Sequence, residues 1–156
     1  MSLAWRISNA IMALFFGLAT YVQHNDEFAV FWILVYFIPC IICILVVLQV
    51  MITRAHFQTF LYILIAFYMA FSCYLFYRVV LVVLPSDNYN LLHYQEGKEM
   101  FGVLIIETWL LIVVYFLNAR VPFDSLLTKT AKGSIVLLSL SPLGLWIYHG
   151  CFGQNS

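Results

Sequence analysis

Five long apolar stretches divide the chain, about Trp5 to Val22, Val30 to Met51, Phe57 to Leu84, Phe101 to Leu117 and Gly133 to Cys151. Each is near the roughly 17 to 25 residues that an α-helix needs to cross a hydrocarbon core of about 30 Å. In lipid the backbone has no water to bond, so a spanning segment is either a helix or part of a closed barrel. Barrel strands alternate apolar and polar residues over ~10-residue segments, whereas these runs are continuous. The pattern predicts an all-α integral membrane protein, a bundle of five transmembrane helices forming a single transmembrane domain over residues 1–156. With 65% hydrophobic and 9% charged residues, against about 25% charged in soluble domains, no separate soluble domain is expected. The third stretch, 57–84, would reach about 42 Å at 1.5 Å per residue, so it must tilt or project beyond the hydrocarbon.

The few charges carry the topology. The net charge is zero, but sorting charges by the gaps between stretches separates them. Arg6, Arg54, Arg120, Lys129 and Lys132, opposed by Asp124, fall in alternate gaps; Asp26, Glu27, Asp87, Glu96 and Glu99, opposed by Lys98, fall in the others. Lys/Arg-rich loops stay on the cytoplasmic side, which predicts a cytoplasmic N-terminus and a C-terminus on the opposite face. The lack of a basic stripe excludes nucleic acid as a partner. The expected partners are the lipid bilayer and other membrane-protein subunits. The apolar run behind Arg6 passes into Gln23-His24-Asn25-Asp26 without a small-x-small cleavage site, so it reads as a first span rather than a signal peptide.

Within the stretches, several details predict packed helices. Ala13 and Gly17, extended by Asn9 and Thr20, form a small-residue stripe suited to close helix approach. Pro39 and Pro142 sit near mid-span and should kink their helices. Trp5, Trp32, Trp146 and Tyr148 stand at span ends as expected interfacial anchors. Between Arg120 and Lys132, alternating apolar residues suggest a segment lying on the membrane surface. Cys40 and Cys43 form a C-x-x-C, but among Pro39, Ile41, Ile42 and Ile44 it reads as packing rather than a redox motif.

Candidate chemistry collects on the acidic face. Gln23, His24, Asn25 and Asp26 come from the first gap, His93, Glu96, Lys98 and Glu99 from the second, and His149 from the last span. Asn25-Asp26-Glu27 is most simply a turn and N-cap for the second helix. His24, His93 and His149 with the carboxylates would suit a metal such as Zn²⁺, although no motif of the H-E-x-x-H type is present. These histidines lie at span ends, which argues against axial haem ligation, and no cofactor is expected. Arg78 lies six residues before Leu84 and Glu107 six after Phe101, so equal depths predict an intramembrane ion pair. Glu96, Glu99, Val103 and Glu107 share a helix face leading inward.

The motifs Trp5-Arg6-x-x-Asn9, Val22-Gln23-x-Asn25-Asp26 ahead of Trp32 and Tyr36, and Glu96-Gly97-Lys98-Glu99-x-x-Gly102 leading to Trp109 resemble the transmembrane protein 220 family over most of the chain. The resemblance implies a small multi-pass membrane protein without an established activity, and supports Gln23, Asn25, Asp26, Glu96, Lys98, Glu99 and Gly102 as shared positions. Glu27 stands where that family usually has Pro, and Glu107 where an uncharged residue is expected. Without a nucleophile-base signature, phosphate loop or zinc motif, the sequence favours a non-enzymatic packing, accessory or lipid-interacting protein. The alternative is a membrane-embedded enzyme or proton-linked transporter using His24, Asp26, His93, Glu96 and Glu99 with Arg78 and Glu107.

Overall fold

The computed structural model describes residues 3–25, 28–50, 54–83 and 94–118, together with Leu137, Ser139, Leu140 and Pro142. Four long helices occupy the described residues: α1, Leu3–Val22; α2, Ala29–Leu48; α3, Arg54–Val83; and α4, Gln95–Asn118. All four are long and apolar enough to cross a membrane. The expected first four spans are therefore found, with α4 beginning six residues before its apolar run. The fifth span expected at 133–151 lies outside the described residues apart from Leu137, Ser139, Leu140 and Pro142, which are helical. The surface segment 120–132 and the anchors Trp146 and Tyr148 also lie outside them.

One helix pair joins α1 to α2. On α1 the buried residues Trp5, Ser8, Asn9, Met12, Phe15 and Phe16 recur at three- and four-residue steps, which places them along one side of the helix. On α2 the buried series Trp32, Val35, Tyr36, Pro39, Cys40, Cys43 and Val46 follows the same rule. The C-x-x-C thus falls on one packed stripe, and both cysteines are buried and reduced. Cys40 Sγ donates to the Ala13 carbonyl at 3.3 Å, and a Cβ built on Gly17 would stand 3.8 Å from that same sulfur. The expected small-residue seam is a real helix contact.

Two polar side chains of α1 bond inside their own helix, while the buried Ser8 Oγ and Asn9 Oδ1 have no hydrogen-bond partner among the described residues. Asn9 Nδ2 donates to the Trp5 carbonyl at 2.9 Å and Thr20 Oγ1 to the Phe16 carbonyl at 2.8 Å, the back-bonding open to short polar side chains where water is absent. Two of the expected interfacial anchors are instead core residues: Trp5 is 3% and Trp32 5% exposed. Both lie on the packed stripes, and Trp32 stacks on Tyr36 at 6.3 Å, so burial of the ring area outweighs an interfacial position.

Between these helices a 3₁₀ turn, Gln23–Asn25, precedes the N-cap of α2. That cap is Phe28, without a side-chain hydrogen bond, because a phenyl ring has no acceptor. The sequence places the cap in Asn25-Asp26-Glu27; the observed cap is one residue later. Pro39 lies inside α2, which continues through it to Leu48. The helix then ends on Gln49 in the left-handed region (φ 56°), with Val50 N–H donating back to the Leu45 carbonyl at 3.2 Å, a Schellman-type stop.

The other pair is α3 with α4. At 30 residues α3 is about 45 Å long, some 15 Å more than a hydrocarbon core, matching the projection or tilt expected of this span. Leu61, Leu64, Ile65, Tyr68, Leu75, Val79 and Val83 form its buried side, while Phe60, Phe67, Tyr74 and Tyr77 are exposed. On α4 the buried positions are Gly97, Met100, Val103, Ile106, Trp109, Leu110, Val113 and Val114.

Candidate functional site

The α3–α4 pair is tied together by side-chain hydrogen bonds at three levels. Near the start of α4, Arg78 Nη2 meets Glu96 Oε1 at 3.3 Å, and Arg78 Nη1 donates to the Tyr74 hydroxyl, also at 3.3 Å. Midway, Ser72 Oγ donates to Glu107 Oε2 at 2.9 Å. At the end of α4, Asn118 accepts from Gln58 Nε2 at 2.8 Å and donates to the Tyr62 hydroxyl at 2.7 Å. As the α3 residue number rises, the α4 partner number falls, so the helices run antiparallel.

This register corrects the expected Arg78–Glu107 pair. Arg78 pairs with Glu96, and the partner of Glu107 is Ser72. The equal depths came from the ends of apolar runs, but helices end elsewhere. Arg78 lies five residues from the end of α3, about 7.5 Å, whereas Glu107 lies 12 residues into α4, about 18 Å. With Ser72 level with Glu107, Arg78 sits about 9 Å further along α3. It also lies where the surplus length of α3 places the hydrocarbon boundary, so its long stem can carry the guanidinium toward water. By the same register Glu107 stands about 9 Å inside that boundary, near the middle of α4, and a lone charge costs about 2.5 to 3.5 kcal/mol at a helix centre on insertion scales. The Ser72 hydroxyl is the donor that offsets part of that cost.

The remaining candidates are spread out. Glu99 accepts from Gln95 Nε2 at 3.1 Å, one turn apart on α4, and Lys98 is exposed. Gln23 is half-buried, and His24 Nδ1 lies 3.2 Å from Asn25 Oδ1, both residues exposed. Asp26, His93 and His149 lie outside the described residues. Among the described residues, no group of three or more His, Cys, Asp or Glu side chains converges as a metal site would require. Glu96, Glu99 and Glu107 each accept from a different donor, Arg78, Gln95 and Ser72.

Sequence reasoning passed over Ser72, Gln58, Tyr62 and Asn118. An available signal was the scarcity of polar side chains within apolar runs: laying α3 and α4 antiparallel would have set Ser72 near Glu107 and Gln58 near Asn118.

Four membrane-length helices, two of them fastened to each other by polar side chains, define an integral, multi-pass α-helical membrane protein. Residues 15–115 match the family model described as "Transmembrane family 220, helix". The chain is also 33% identical over 151 residues to "Transmembrane protein 220" of Xenopus laevis, an alignment covering 92% of this chain and 73% of that one. It belongs to transmembrane family 220. No solved structure matches it. Many residues carrying the family resemblance are interior: Trp5, Asn9, Trp32, Tyr36, Gly97 and Trp109 are buried, while Arg6, Asn25 and Lys98 are exposed.

Proposed function

We propose that this protein is a non-enzymatic membrane component that packs against other membrane subunits and lipid, with its polar residues serving to fasten helices. The observation that carries this reading is that Glu96, Glu99 and Glu107 are each engaged by a neighbouring donor rather than gathered around a common reacting centre. The burial of Trp5, Asn9, Trp32, Tyr36 and Trp109 supports it, since residues kept for packing belong inside. The reading includes a fifth span over 133–151, a cytoplasmic N-terminus and a C-terminus on the opposite face, on the strength of the charge sorting. Purification in mild detergent is expected to yield the chain with other membrane proteins; a chain that always emerges alone and monomeric contradicts the subunit role. A glycosylation acceptor fused to the C-terminus is expected to be glycosylated, and its absence reverses the orientation.

One observation favours the proton-linked transporter alternative: Glu107 is a carboxyl in the middle of the membrane-length helix α4, and intramembrane ionisable groups are functional candidates by default. That reading predicts proton uptake by proteoliposomes that Glu107→Gln abolishes. Equal uptake in protein-loaded and empty vesicles excludes it.

A further inference from the structure

On α3, Phe67, Phe71 and Tyr74 stand four and three residues apart and stack ring upon ring, with centroids 6.2 and 6.3 Å apart and interplanar angles of 16° in both pairs. The Tyr74 hydroxyl accepts from Arg78 Nη1, so the guanidinium is the next rung. Steps of four, three and four residues keep all four on one face of the helix. The strip is open, for Phe67 is 50% and Tyr74 52% exposed, and the Arg78 side chain 47%.

Two lengths identify an occupant. From Phe67 to Arg78 the strip measures about 16 Å along the helix, close to half of a roughly 30 Å hydrocarbon core, the reach of one acyl chain in one leaflet. Arg78 sits about 7.5 Å from the end of α3, the depth at which its surplus length meets the headgroup boundary. Charge selects the headgroup. Arg78 commits two of its five N–H donors to Tyr74 and Glu96, and the rest of its planar fork suits a phosphate. The Glu96 carboxylate, 3.3 Å from that guanidinium, neutralises it, so the pair presents both signs to a ligand. A headgroup carrying phosphate and ammonium matches both; one with only negative charge meets Glu96 as repulsion.

We propose that the Phe67–Phe71–Tyr74 ladder and the Arg78–Glu96 pair form a binding site for a zwitterionic phospholipid, its phosphate on Arg78, its ammonium toward Glu96 and one acyl chain along the rings. The proposal deepens the lipid-interacting part of the function above and rests on that reading. Native mass spectrometry of the full chain, released from nanodiscs containing equal amounts of phosphatidylethanolamine and phosphatidylglycerol, tests it. The wild type is expected to retain phosphatidylethanolamine over phosphatidylglycerol. Arg78→Gln is expected to lower that retention about tenfold, the size of one lost charge-assisted hydrogen bond. Phe67→Ala, at an exposed rung that leaves the Arg78–Glu96 contact intact, is expected to lower it too. Unchanged retention in Phe67→Ala, or a preference for phosphatidylglycerol, overturns the site. Co-purification of protein partners, measured on the same variants, reports on the subunit role separately: partners kept while lipid selectivity is missing defeats the site alone.

Discussion

The α1–α2 and α3–α4 pairs lie in one chain yet hold together by different means. In α1–α2, Asn9 and Thr20 bond within their own helix, to Trp5 and Phe16, and the contact relies on small residues and buried rings. In α3–α4 the polar side chains reach across, at Arg78–Glu96, Ser72–Glu107 and the Gln58–Asn118–Tyr62 group. Apolar burial cannot drive helices together inside lipid, because the tails are as apolar as leucine. What remains is close packing or side-chain hydrogen bonding, and each pair relies chiefly on one of them. A pair built on packing is sensitive to volume; a pair built on polar contacts is sensitive to the loss of a donor.

The sharpest way to break this contrast is to add volume to the packed pair. Gly17→Leu should destabilise it by about 1 to 3 kcal/mol, the usual cost of overfilling a tight contact, whereas Gly17→Ala should be tolerated because its Cβ meets Cys40 Sγ at an ordinary 3.8 Å. Thermal unfolding in detergent micelles measures both; equal losses from Ala and Leu remove the seam from the account. Asn118→Ala comes next, since it deletes two contacts to α3 and should cost about 1 kcal/mol in the same assay, at about 0.6 kcal/mol per membrane hydrogen bond. Smaller again is Arg78–Glu96: a partly exposed pair typically contributes about 0.2 to 1 kcal/mol, and its coupling in a double-mutant cycle should shrink as salt is raised. Gln49→Gly should act in the opposite direction, raising stability by a few tenths of a kcal/mol, because glycine adopts the φ 56° stop without the penalty of a side chain.

Much of the fold was legible because membrane crossing writes itself as length. The first four spans, the excess length of α3 and the packing role of Cys40 and Cys43 all follow from apolar runs and helical spacing. Trp5 and Trp32 were not legible as core residues, since a tryptophan at a span end is the same whether its stripe faces lipid or a neighbouring helix. Arg78 was recognised as needing a partner, but naming Glu96 required the true start of α4, six residues before its apolar run. Polar residues such as Gln95 and Glu96 begin that helix, and hydropathy does not count them. Phe28 capping α2 has no sequence signature, for its backbone conformation rather than its side chain makes it the cap.

The central claim, that Glu96 and Glu107 fasten α4 to α3, is tested most directly in the middle of α4, where Ser72 donates to Glu107 at 2.9 Å. A double-mutant cycle with Ser72→Ala and Glu107→Leu, read by unfolding in bilayer-like micelles, should give a coupling of about 0.6 kcal/mol, the average for hydrogen bonds between membrane helices, and no more than about 1.7. A parallel cycle of Arg78→Gln with Glu107→Leu should give none. Zero coupling between Ser72 and Glu107, or coupling between Arg78 and Glu107 instead, contradicts the account.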